Sequence, residues 1–183
     1  MALKDKLKDK VNSLQSSVAI EFKPRLQPNI ISILNSQIAN ELQSSQIYRG
    51  MACHLDNIGW SNASKYFMKS ADEELEHMRK VYNYLFDKNC KAIVPCCKDV
   101  QQEFADIRDV LTKSLEHEIA ITSNWENIAK LACDNNDKTT MFFSQWFINE
   151  QVEEESKIRE LLYLLDLDSP KWKMEEEFKE LLG

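Results

Sequence analysis

The segment ADEELEHMRK (Ala71–Lys80) decides how this chain is read. By composition it is a solvated helix surface, carrying one aspartate, three glutamates, an arginine and a lysine in ten residues. The flanking residues set a different register. Ala63, Phe67 and Ser70 upstream, and Val81 and Tyr84 downstream, follow the alternating steps of three and four that mark the buried stripe of a bundle helix. The same steps land on Glu74 and His77, a carboxylate and an imidazole one turn apart on one face. A helix that points such a pair into its own core needs a partner for it.

Extending the register outward gives three more seams. One helix is expected from about Asn29 to Asn57, ending near Gly59, with the seam Leu34, Ile38, Glu41, Ser45, Tyr48, Ala52 and Leu55. The helix carrying ADEELEHMRK begins at Ser61, a candidate N-cap, and reaches about Asn89. A third is expected over Asp99 to Asp134, with the seam Phe104, Ile107, Leu111, Ser114, Glu118, Ile121 and Trp125. A fourth covers Asp137 to Asp166, with Phe143, Phe147, Glu150 or Gln151, Glu154, Ile158, Leu161 and Leu165. A short fifth helix follows Ser169-Pro170 and covers Lys171 to Leu182, with Pro170 suited to its first turn. Two connections are only a few residues long and make antiparallel neighbours. The stretch NCKAIVPCCKD between the second and third helices reaches about 35 Å when extended, most of the length of a helix of about 25 residues. The expected fold is all-α: a four-helix bundle with one long crossover over residues 29–167, a short helix over 168–183 and an extension over 1–28. In the extension Leu3, Leu7, Val11, Leu14 and Val18 recur at helical spacing, so an amphipathic helix is expected there, ended by Pro24 and Pro28.

Composition agrees and excludes other classes. The 183 residues include three glycines and four prolines, so turns are few and elements long. A net charge of −7 argues against a nucleic-acid partner, which needs basic patches. No apolar run approaches the roughly 20 residues that span a bilayer, so no membrane partner is expected. MALKDKLKDKVNSLQ lacks the apolar core of a signal peptide. Five cysteines, an odd number with Cys96 and Cys97 adjacent, fit free thiols in a reducing cytoplasm. Cys90, Cys96 and Cys97 lack the spacing and the neighbouring histidine of a zinc site.

The four seams share one anomaly. Each carries a glutamate near mid-length, where antiparallel packing brings the levels together. Four buried carboxylates at one level cannot all ionise without compensation, and no lysine or arginine occupies these seam positions. A pair of divalent cations resolves the conflict. Carboxylate and imidazole are suitable ligands for iron, and Glu-x-x-His facing further glutamates is the pattern of di-iron carboxylate bundles. The fourth helix has Gln151-x-x-Glu154 in place of a second Glu-x-x-His. One iron would take Glu41, Glu74 and His77. The other would take Glu74 as a bridge, Glu118 and Glu154, with Gln151 beside it. Such unequal coordination suits iron that enters, oxidises and leaves.

The segments LNSQIANELQSSQIYRGM, SADEELEHMRKVYNYL, LEHEIAITSNWENIAKLA and FFSQWFINEQVEEES resemble the four helices of non-haem ferritins of the bacterial type, from about Leu26 to Leu165. The resemblance implies a ferroxidase that oxidises Fe(II) with O2 or H2O2 and stores ferric mineral inside a hollow homo-oligomeric shell of 24 subunits. It implies Glu41, Glu74 and His77 at a first iron position and Glu74, Glu118 and Glu154 at a second, with Gln151 adjacent. A third iron would be held by Glu73, Glu150 and Glu153, with Glu154 shared. Tyr48 matches a tyrosine that can supply an electron, and Trp146 a nearby aromatic. The absence of a second Glu-x-x-His argues against bacterioferritin, and no haem is expected. The segment KWKMEEEFKELL is more acidic than the fifth helix of such cages. The alternatives are a diiron oxidase or peroxidase of rubrerythrin type, which would carry more ligating histidine, and a helical interaction protein that binds no metal. Asp72 and Glu76 are expected to be ordinary surface residues.

Overall fold

The computed structural model describes residues 6–10 and 23–183. Residues 6–10 are helical and exposed. The rest of the expected amphipathic extension, including Leu3, Val11, Leu14 and Val18, lies outside the described residues. Five long elements follow: α1 (Pro28–Asn57), α2 (Ser61–Asp87), α3 (Ile107–Asp134), α4 (Lys138–Asp166) and α5 (Lys171–Leu181). No strand occurs among the described residues.

The first four helices stop in the same way. Gly59, Asn89, Asn136 and Asp168 each adopt positive φ, at 78°, 53°, 56° and 54°. The following residue then donates back into the last turn, as in Trp60 N to Leu55 O at 2.8 Å and Asp137 N to Ala132 O at 2.8 Å. This closure satisfies carbonyls that the helix leaves open. Starts are more varied. Asp106 and Asp137 cap α3 and α4 by accepting from Asp109 N (2.9 Å) and Thr140 N (3.1 Å). Ser61 is not a cap. It is the first residue of α2, Trp60 takes the cap position without a side-chain bond, and Glu175 from α5 supplies the missing acceptor to Asn62 N at 2.6 Å. Pro170 precedes α5 as its cap residue, extended at ψ 155°.

The third helix starts at Ile107, later than the expected Asp99. The intervening residues are committed to another surface. Asn35 binds Lys91 O and Ile93 N, Gln43 binds Lys98 N and Lys98 O, and Phe104 packs its ring on His54 at 5.3 Å. These contacts advance together along α1, so the crossover runs parallel to α1 from one end of the bundle to the other. That fixes the topology: α2 and α3 run antiparallel to α1, and α4 runs parallel to it.

The apolar core is split in two. One cluster joins Met51, Leu55, Phe67, Leu111 and Ile158 with Met174 and Phe178 of α5. The other joins Leu34, Ile38, Leu85, Trp125, Ile128 and Phe147. Between them lies a layer of buried polar groups: Glu41, Ser45, Glu74, Ser114, Glu118 and Gln151.

Gly50 sits inside α1, where glycine costs about 1 kcal/mol relative to alanine. A Cβ there would lie 2.7 Å from the backbone oxygen of Gln101, so the crossover rests directly on the helix. Gly50→Ala is therefore expected to destabilise the fold by about 1–3 kcal/mol despite its better helix propensity, measured by urea unfolding.

Candidate metal centre

Two helices bring the inner part of the centre together. Glu41 comes from α1, and Glu74 and His77 come from α2. One potential ligand atom from each lies within 4.8 Å of the others. Glu41 is completely buried and Glu74 nearly so. His77 Nδ1 lies 3.2 Å from Glu74 Oε2. Glu41 Oε1 accepts from Gln37 Nε2 at 3.0 Å and from Trp125 Nε1 of α3 at 3.1 Å. Its other oxygen, Oε2, is buried without a hydrogen-bond partner. A buried carboxylate oxygen left open in this way is costly, and a cation would satisfy it.

Glu118 of α3 stands across the layer. Its Oε1 accepts from the Tyr48 hydroxyl. Its Oε2 accepts from Gln151 Nε2 of α4 at 2.6 Å. Both oxygens are thus held by neutral donors, which orients the group without neutralising it. Glu154 is less buried, and its Oε1 accepts from Lys157 at 2.7 Å. A cavity of about 220 Å³ opens from this layer, and its walls include Tyr48, Glu73, Glu74, His77, Glu118, Trp146, Glu150 and Glu154. Trp146 packs edge-on to His77 at 5.7 Å, and the Lys80 ammonium lies over its ring at 4.2 Å.

The electrostatics follow from burial. Desolvation, then the charge of Glu74, lifts the Glu41 carboxyl well above the ordinary carboxylate range. Desolvation pushes Glu74 up to about 8, Glu154 and Glu73 adding to the rise. Glu118 is also pushed up to about 8 by burial, against the Gln151 hydrogen bond. Glu73, at the cavity wall, is raised by burial and by Glu154. Near neutral pH the metal-free chain therefore favours the protonated forms of Glu74 and Glu118, whose protons a divalent cation would displace.

Of the ten residues singled out in the sequence for this site, Tyr48, Glu73, Glu74, His77, Glu118, Glu150 and Glu154 line the cavity. Glu41 and Gln151 lie in the buried layer against it. Glu153 is exposed and is not part of the cavity wall. Glu76 is exposed, as expected of a surface residue, and it also lines the cavity. The orienting role of Gln37 was missed, though its spacing of one helical turn from Glu41 signals it. Trp125 was read as apolar seam, and its indole N–H bond to Glu41 appears only in three dimensions. The cysteines take no part: Cys90 is buried, Cys53, Cys96, Cys97 and Cys133 are exposed, and all five are free.

The order of these residues along four helices has a family counterpart. The model of the ferritin-like domain matches residues 31–167. The chain belongs to the ferritin family. It is 32% identical over 131 residues to a bacterial non-heme ferritin of Staphylococcus epidermidis, covering 72% of this chain and 79% of that one. It is 30% identical over 137 residues to a probable bacterial non-heme ferritin-like protein of Haemophilus influenzae, covering 75% and 83%. Among solved structures, an open-pore ferritin from the archaeon Archaeoglobus fulgidus superposes with a TM-score of 0.81 at 25% identity, over 85% of this chain and 97% of that one. As in the sequence reading, this is a non-haem, bacterial-type ferritin on an all-α bundle. No helix among the described residues is long and apolar enough to cross a membrane.

The raised carboxyls give a pH test. Glu74 and Glu118 rise from about 4.5 to about 8 on folding, so the folded metal-free chain binds more protons than the unfolded one between those values. The stability they support is present below about 4.5 and is lost as pH rises through about 8. Melting of the metal-free protein should therefore fall to lower temperature as pH rises across this window, and saturating Zn(II) should remove the fall.

Proposed function

We propose that this ferritin takes up Fe(II) as its substrate in the buried polar layer, oxidises it with O2 or H2O2, and stores the ferric product as mineral inside a homo-oligomeric shell. The observation that carries the proposal is the Glu41–Glu74–His77 cluster, whose potential ligand atoms all lie within 4.8 Å of one another, with Glu41 Oε2 buried and, apart from the neighbouring Glu74 carboxyl, without a hydrogen-bond partner among the described residues. Hard carboxylate oxygens with one imidazole suit iron. Glu74 belongs to the cluster and also feels the charges of Glu154 and Glu73, and in this reading it would bridge two irons. Glu41 and His77 complete the inner position. Glu118 and Glu154 form the outer position, with Gln151 fixing Glu118.

Two Fe(II) ions held side by side deliver two electrons to one oxidant molecule, one from each ion. The chain contributes position and charge compensation, and it leaves coordination sites open to the oxidant. Tyr48, bonded to Glu118, would supply a further electron. Glu73 and Glu150 at the cavity wall are the carboxylates through which a third iron would pass, while Glu153 would have to turn inward to join them. A rubrerythrin-type oxidase would need more histidine; His77 is the single histidine in the cluster, and the nearby His117 bonds Ser44 at 2.7 Å. A cytoplasmic location belongs to the same reading, as does a 24-subunit shell.

Anaerobic Fe(II) titration should saturate at about two ions per chain in the bundle, with a further ion where the outer carboxylates fill. Admission of O2 should then oxidise the bound iron rapidly. The double variant Glu74→Ala, His77→Ala should lose this fast phase by about 100-fold or more, and unchanged oxidation would sink the proposal. Light scattering of the native protein should give a mass of about half a megadalton if 24 chains of 21.4 kDa assemble.

A further inference from the structure

The two halves of the centre differ in how their charge is compensated. At the inner half, no lysine or arginine among the described residues bonds Glu41 or Glu74; their partners are Gln37, Trp125, His77 and each other. At the outer half, two of the carboxylates at the cavity wall have an ammonium group beside them. Glu154 accepts from Lys157 at 2.7 Å, and Glu73 lies 3.9 Å from Lys69. The two lysines are unequal. The Glu73–Lys69 pair is about half exposed on both sides, where such a pair contributes little. The Glu154 side chain is only 17% exposed, and Lys157 reaches in to it from the next turn of α4.

Lys157 also acts beyond that one contact. Its charge interacts with Glu73 and Glu150 as well as Glu154, and Glu73 in turn feels it. A lysine is ordinarily charged at neutral pH, and the Lys157 Nζ lies 2.7 Å from Glu154 Oε1. A full positive charge therefore already sits among the carboxylates expected to receive the outer iron.

We propose that Lys157 is a competing counter-cation: it occupies Glu154 in the metal-free chain and must release it before a divalent cation binds the outer position. It acts through Glu154 as a positioning residue and touches neither substrate nor oxidant. The consequence is an order of filling. The inner position, with an open carboxylate oxygen and no resident cation, fills first and tightly. The outer position fills second and weakly, which lets its iron move on. The inference rests on the two-position reading of the centre given above.

The test uses full-length wild type, Lys157→Met and Lys157→Arg, titrated anaerobically with Fe(II) in a calorimeter. The inner class of site is identified as the one lost in His77→Ala. Methionine keeps much of the side-chain stem and removes the charge; arginine keeps the charge. Removing one unit charge a few ångströms from the outer ion should tighten the outer class on the order of tenfold, with the inner class moved much less. Arginine should return the outer class to near its wild-type affinity, a rescue that a purely structural role for the lysine stem would not produce. Outer-class affinity that is equal or weaker in Lys157→Met, or that moves alike in the methionine and arginine variants, overturns the inference while leaving the two-position centre standing. Absence of the inner class in wild type overturns the centre itself, and this inference with it.

Discussion

The structure depends on one constraint: a layer of carboxyl groups that the fold has taken out of water without pairing them to a lysine or arginine among the described residues. Glu41, Glu74 and Glu118 are all buried, and they stand at one level between two apolar clusters. An ionised carboxylate in such a place is strongly disfavoured, so the metal-free chain answers by raising pKa values rather than by pairing charges. Everything around the layer serves to keep it in place. Trp125 and Gln37 fix Glu41, Tyr48 and Gln151 fix Glu118, and the two clusters lock the helix axes on either side.

Such a layer is a poor way to stabilise a bundle. Replacing buried charged groups by apolar ones of similar volume is often neutral or stabilising. Its persistence is intelligible when a cation completes it. The inner edge is the more deeply buried, while the outer edge meets a cavity walled by Glu73, Glu76 and Glu150 and edged by Lys80 and Trp146.

The scaffold reaches this geometry with long-range devices. The crossover lies along α1 and is held by Asn35, Gln43 and the flush contact at Gly50. That contact forces α3 to begin at the far end of the bundle, which sets the direction in which Glu118 and Trp125 face Tyr48 and Glu41. α5 then folds back to cap the start of α2 through Glu175 and to seat Phe178 against Tyr66 and Phe67. The acidic face of α5 that stood out in the sequence is thus partly engaged within the chain.

The sequence by itself determined the helix count, the seams and the identity of the buried acids, because 3.6-residue periodicity is a local property that one helix displays alone. Every seam position named in α1 is buried in the structure, and Glu74 and Glu118 are buried as read. It did not determine where α3 begins, since residues 99–106 have no local reason to avoid a helix and are drawn off by contacts on α1. Nor did it show how each acid is held. The Trp125 indole and the Gln151 amide meet their carboxylates only across helices, and Lys157, one turn from its partner, looks like any surface ion pair until the burial of Glu154 and the nearness of Glu73 and Glu150 are known. Which residues are buried is written along each helix; which charges they meet there depends on distances between helices, and only the packed bundle supplies those.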